Sequence, residues 1–122
     1  METKQLLCAA VSSLDRHKAQ DICTLRVEEI SSLAEYFVIA QGTSNTHVRA
    51  LCDYVQDELK PLGVQPLGIE GYVGAGWVLL DYGSVLIHVF TPQMREFYNL
   101  ERLWQDGVSV PLEQLLDGSE LS

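Results

Sequence analysis

WVLLDYGSVLIHVF, Trp77 to Phe90, holds two apolar runs on either side of Gly83-Ser84. A Gly-X pair between such runs is the signal for a two-residue type II′ turn, so the stretch predicts a β-hairpin. Side chains alternate between faces along a strand, and the turn fixes the register. Tyr82 then stands opposite Val85, Leu80 opposite Ile87 and Val78 opposite Val89. This face is apolar apart from one phenol and belongs in a core. The other face sets Trp77, Leu79 and Asp81 against Phe90, His88 and Leu86. It is too apolar for an ordinary wetted surface, yet it carries an ionisable group on each strand. That composition is expected of a contact surface for another macromolecule.

Working outward from the hairpin, Leu6, Leu7, Ala10, Val11 and Leu14 recur at spacings of three and four and predict an opening amphipathic helix. Asp21 to Val27 (DICTLRV) predicts a strand with Ile22, Thr24 and Arg26 on one face and Cys23, Leu25 and Val27 on the other. Glu35 to Gln41 (EYFVIAQ) is an almost continuous apolar run, as in a central strand covered on both faces. Gly42-Thr43-Ser44 leads into a second helix with Thr43 or Ser44 as N-cap, and Val48, Leu51, Cys52, Val55 and Leu59 form its apolar stripe. Pro61 and Gly63 end it. Leu67 to Tyr72 predicts a short strand. Thr91-Pro92 reads as a cap followed by proline at the first helical position, so Pro92 to about Tyr98 is expected to be helical. Leu100 to Trp104 either extends that helix or forms a short second turn. The order α-β-β-α-β-β-β-α predicts a mixed sheet packed against helices, in the α/β or α+β class. One domain is expected over 1–106, followed by an acidic, partly mobile C-terminal tail over 107–122.

A chain of 122 residues suits one domain, burying roughly two-thirds of the surface its unfolded form exposes. No run of 18 apolar residues is present to form a membrane span. The start lacks the basic flank and long apolar stretch of a secretory signal. Cys8, Cys23 and Cys52 are odd in number and widely spaced, which argues against a disulfide framework and for a reducing compartment, the cytoplasm by default. Seventeen acidic against eight basic residues give a net charge of −9. So acidic a chain is a poor non-specific ligand for phosphate backbones and is steered toward basic partners.

Catalytic chemistry is sparse. His17, His47 and His88 fall on separate elements with no HxxxH or HExxH spacing, so no metal site or cofactor is expected. Cys52 sits on a helix's apolar stripe and Cys23 within a strand, and both read as small core residues. Asp81 and His88 share a hairpin face and form the one acid-base pair in the chain. No nucleophile, phosphate loop or convergent third group accompanies them, so they read as a polar pair that orients the face or bonds to a partner. The Gly42 to Ser44 turn opens a helix whose free N–H groups could hold an anion, as in nucleotidyltransferases. In those enzymes two carboxylates follow, two apart on a strand, and chelate magnesium. Here Asp53, Asp57 and Glu58 follow on a helix. A residual nucleotidyl or phosphoryl transferase is the alternative function on that turn. In the last helix, Arg95 and Arg102 read as a solvated charged face, whereas Tyr98 and Trp104 are large amphipathic residues suited to an interface or a core.

Three blocks carry a resemblance to a known family. LDRHKAQDICTLRV (Leu14 to Val27), ISSLAEYFVIAQGTSNTHVRAL (Ile30 to Leu51) and GYVGAGWVLLDYGSVLIHVFTPQMREFYNLERLW (Gly71 to Trp104) resemble the ribosomal silencing factors, RsfS, also known by the plant name Iojap. WVLLDYG, HVF and REFYNLERLW together are highly specific. Ser84 departs from the pattern, since the family usually has Asp after Tyr-Gly. The resemblance implies a nucleotidyltransferase-like sheet without catalytic carboxylates, and a protein that is not an enzyme. It further implies binding to the large (50S) ribosomal subunit through ribosomal protein fourteen, a small basic β-barrel. A factor docked there would block joining of the 30S subunit and repress translation when nutrients are short. The contact residues expected on this reading are Trp77, Leu79, Asp81, His88 and Phe90 on the hairpin, extended by Tyr98 and Leu100. A homodimer through the same face is a further expectation.

Overall fold

The computed structural model describes residues 1–117. Its elements are helix α1 (Thr3–Arg16), strands β1 (Gln20–Arg26) and β2 (Tyr36–Gln41), helix α2 (Asn45–Leu59), strands β3 (Gly68–Glu70), β4 (Trp77–Asp81) and β5 (Val85–Phe90), helices α3 (Pro92–Tyr98) and α4 (Leu100–Leu103), strand β6 (Val108–Val110) and helix α5 (Leu112–Asp117). The six strands form one sheet in the order β3-β4-β5-β2-β1-β6, and among them only β2 and β5 run parallel. This is the mixed α/β architecture expected from the order of elements.

β2 lies in the middle of the sheet, and Tyr36, Phe37, Val38, Ile39 and Ala40 are all buried. Alternation sends Tyr36, Val38 and Ala40 to one face with Val78, Leu80, Val85, Ile87 and Val89, where α1, α2 and Leu115 of α5 cover them. Phe37 and Ile39 go to the other face with Leu25, Val27 and Phe90, beneath Leu100 of α4. The sheet therefore has a large core on the side of the long helices and a smaller one on the side of α3 and α4. α2 buries the whole stripe Val48, Leu51, Cys52, Val55 and Leu59. Its N-cap is Ser44, whose hydroxyl accepts from the His47 N–H at 3.1 Å.

The hairpin register is the expected one: Trp77↔Phe90, Val78↔Val89, Leu79↔His88, Leu80↔Ile87 and Asp81↔Leu86. Its turn is not. The Ser84 N–H donates to the Tyr82 carbonyl at 3.1 Å, and Gly83 has φ +82. A bond from residue i+2 back to residue i defines a γ-turn, in place of the four-residue type II′ turn. Two contacts select it. Asp81 Oδ1 accepts from the Gly83 N–H at 2.8 Å, and the Ser84 carbonyl accepts from the N–H groups of Glu35 and Tyr36. At position 84 it is thus the main chain that ties the hairpin to the start of β2.

The stretch expected to be a partly mobile tail carries regular structure as far as 117. β6 pairs antiparallel with β1, matching Thr24 to Val110 and Arg26 to Val108. α5 packs on α1 and buries Leu115 completely. β6 and α5 thus lie beyond position 106 and pack against β1 and α1. Residues 118–122 of that tail lie outside the described residues.

Candidate functional site

The hairpin face turned away from the long helices carries an aromatic cluster. The Trp77 ring lies 5.1 Å from Phe90 and 4.6 Å from Tyr98, and Phe97 meets Tyr98 edge-on at 5.0 Å. Phe37 stands edge-on to both His88 (5.3 Å) and Trp104 (4.8 Å). α3 and α4 are brought onto this face by a corner at Asn99, which takes the left-handed conformation (φ 47) between them. Arg95 locks the corner. Its guanidinium donates to both carboxylate oxygens of Glu101, at 3.0 Å from Nη2 to Oε2, and to Gln41 Oε1 on β2 at 3.3 Å. Only 10% of the Arg95 side chain is exposed. The expectation of a solvated face fails for Arg95, because a fork of donors can satisfy two partners at once under a helix. It holds for Arg102, which is exposed.

That corner sorts the expected contact residues. Phe90 is 0% exposed, His88 6% and Leu100 8%: Phe90 and Leu100 of α4 belong to the smaller core, and His88 is buried beside Phe37 and Phe90. Burial keeps Phe90, His88 and Leu100 out of the exposed surface expected of them. The hairpin alone could not reveal this, because the covering side chains come from a segment beyond it. Trp77, Leu79 and Asp81 remain half-buried at the thinly covered flank, and Tyr98 is 43% exposed.

His88 and Asp81 do not bond to each other. The Trp77 indole N–H donates to His88 Nδ1 at 3.1 Å, which places the imidazole proton on Nε2, a buried atom with no partner among the described residues. Burial pushes the His88 pKa down to about 4, so the ring is neutral near pH 7. His88 serves as the acceptor that orients Trp77. Asp81 is engaged by the turn, through Gly83.

Several residues of this flank went unread in the sequence. Phe97 is 76% exposed and continues the patch beyond Tyr98. The signal was present: Phe97 and Tyr98 are adjacent on one short helix, so both cannot face the sheet. Glu70 and Gly71, at the end of β3, line a groove of about 320 Å³ together with Trp77 and Leu79. Glu70 stands opposite Leu79 in the register.

Two N–H groups of the Gly42 to Ser44 turn are spent on the chain itself. The Gly42 N–H donates to the Phe90 carbonyl at 2.9 Å and the Thr43 N–H to His47 Nδ1 at 2.9 Å. Among the described residues, no group of three or more His, Cys, Asp or Glu side chains is placed to hold a metal ion. The cysteines are free, and burial raises the Cys52 thiol to about 12. No helix among the described residues is long and apolar enough to cross a membrane.

Fold and flank together define a mixed α/β domain with an apolar, acid-rimmed surface patch. A family model described as "Ribosomal silencing factor during starvation" matches residues 1–121. The ribosomal silencing factor RsfS of Halalkalibacterium halodurans is 37% identical over 116 residues, 95% of this chain and 99% of that protein. Mouse "Mitochondrial assembly of ribosomal large subunit protein 1" is 38% identical over 97 residues, 77% of this chain and 42% of that protein. A crystal structure of a Chromobacterium violaceum protein superposes with a TM-score of 0.84 at 37% identity, covering 91% of each chain. The chain belongs to the RsfS family of ribosomal silencing factors.

Proposed function

We propose that this chain is a non-catalytic cytoplasmic factor that binds the large ribosomal subunit through ribosomal protein fourteen, blocks joining of the small subunit and so lowers translation under nutrient limitation. The observation that carries the reading is the exposed Phe97–Tyr98 pair, with Tyr98 tilted against the half-buried Trp77 and Phe97 edge-on to Tyr98, at the edge of an otherwise packed face. Aromatic anchors of this kind dominate the energy of protein interfaces. Glu70 lines the groove beside Trp77, Asp81 follows Leu79 on the same face of β4, and the chain's net charge is −9. Such a surface is matched in sign to a small basic ribosomal protein, since complementary charge speeds encounter and fixes register. Leu79 and Trp77 supply the apolar centre. His88, Phe90 and Leu100 support it from below.

Sedimentation with purified large and small subunits tests the reading. The chain is expected to follow the large subunit and to prevent formation of the joined ribosome. The double variant Phe97→Ala, Tyr98→Ala should stay folded and lose at least tenfold in affinity, because these side chains are largely outside the core. The reading is overturned by a wild-type chain that pellets with neither subunit, or by a folded double variant that pellets as well as wild type. A chain that sediments alone as a dimer, and becomes monomeric on the large subunit, would mean that a second copy competes for the same patch.

A further inference from the structure

We infer that the groove beside Trp77 is a subsite for one lysine or arginine side chain projecting from the partner's surface; the inference rests on the partner reading above and names the chemistry of its contact. Glu70, Gly71, Trp77 and Leu79 line the groove, whose volume is about 320 Å³. Glu70 and Leu79 are register partners on adjacent strands, and Trp77 lies two residues from Leu79 on the same face. The walls are therefore mostly hydrocarbon: the Leu79 side chain and the part of the indole left free by Phe90 and Tyr98. The indole N–H is already committed to His88, so Trp77 offers the groove its ring and no donor. Gly71 keeps the wall bare. It has φ +80, and a Cβ there would lie 2.1 Å from the Trp77 carbonyl oxygen.

Against these apolar walls stands one charge. Glu70 is exposed and has no ion-pair partner among the described residues. A neutral aliphatic occupant would suit the walls and leave the carboxylate unmatched. An acidic occupant would be repelled by Glu70 and by the net charge of −9. A long aliphatic stem ending in a cation suits both, with the stem along Leu79 and Trp77 and the head at Glu70. Lysine and arginine are the residues of that shape, and they abound on a basic ribosomal protein.

The test has two arms. In the first, NMR spectra of the full chain are recorded with N-acetyl-arginine amide, N-acetyl-lysine amide or the neutral N-acetyl-norleucine amide at equal ionic strength. The cationic probes are expected to shift the Trp77 indole, Leu79 methyl and Glu70 signals more than norleucine does, and Glu70→Gln should erase that difference. In the second arm, Glu70→Gln is expected to weaken co-sedimentation with the large subunit about two- to fivefold at low salt and to flatten its salt dependence, as for an exposed ion pair. Equal responses to norleucine and arginine overturn the subsite, as does a Glu70→Gln chain that binds the large subunit with wild-type affinity and salt dependence. A wild-type chain that ignores the large subunit overturns the partner reading instead, and the first arm still decides the groove.

Discussion

The indole N–H of Trp77 donates to Nδ1 of His88 at 3.1 Å, on the diagonal of the β4–β5 pair. This bond makes the half-buried residue depend on the buried one. Trp77 reaches the flank at a fixed angle because its nitrogen is held from below, while its ring rests on Phe90 at 5.1 Å. Trp77→Phe keeps a ring over Phe90 and removes the donor, leaving both imidazole nitrogens without a protein partner. An unpaired buried acceptor costs about 1–3 kcal/mol, so the variant should unfold at correspondingly lower denaturant. An unchanged midpoint would mean that the bond contributes nothing to stability.

The same burial makes stability pH-dependent. His88 in the folded chain is held near 4, against an ordinary value of 6.5. Above pH 6.5 the ring is neutral in both states and the folded chain loses nothing. As the pH falls from 6.5 toward 4, the unfolded chain takes up a proton that the folded chain refuses, and stability drops. The full gap corresponds to about 3 kcal/mol. At Glu58, burial pushes the carboxyl up, but hydrogen bonds from His17 and Arg16 outweigh it and leave it lowered, so its own loss begins at more acidic pH. His88→Asn separates the two. Its Oδ1 retains an acceptor for Trp77 but does not titrate, so denaturation curves between pH 6.5 and 4.5 should run flatter than wild type. Parallel curves would sink the assignment.

At the corner between α3 and α4, Arg95 bonds both to Glu101 nearby and to Gln41, 54 residues earlier in the sequence. Arg95→Met should cost about 1–2 kcal/mol, discounted because Glu101 is itself more than a third exposed. The more telling readout is local. Amide exchange of 92–103 should rise while that of β2 and β5 holds, since only the corner loses its lock. Uniform acceleration across the sheet would instead assign Arg95 to global stability.

The hairpin, both long helices and the central strand were legible because each rests on a pattern local to its own segment. Alternation from Trp77 to Phe90 gave the register residue by residue, and the stripe from Val48 to Leu59 gave the buried face of α2. The turn at Gly83 departs from type II′ because its geometry answers to Asp81 and to the start of β2, neither visible in a Gly-Ser pair. The burial of Phe90, His88 and Leu100 is hidden from the sequence for a related reason. An alternating strand states which residues share a face, and only the tertiary fold states what covers that face. Here the cover arrives through Asn99, a single left-handed residue that turns Leu100 and Trp104 back over the sheet. Glu70 sits in a three-residue strand with no periodicity of its own, so nothing in the sequence tied it to Trp77.

The last helix provides a test of where the domain ends. Leu115 of α5 is fully buried against the large core, whereas its neighbour Leu116 is 40% exposed. The two residues have the same chemistry and adjacent places in the chain, so a pair of truncations isolates docking from composition. Leu115→Ala removes buried hydrocarbon and leaves a cavity, which should cost about 2–5 kcal/mol by chemical denaturation. Leu116→Ala should change stability by no more than about 0.5 kcal/mol, as for an ordinary surface site. Near-neutral effects at both positions would show that α5 is not docked in solution and that the folded unit stops short of it. A large effect confined to Leu115 places the segment after 106 inside the domain, where β6 extends the sheet beside β1 and α5 closes the side of α1.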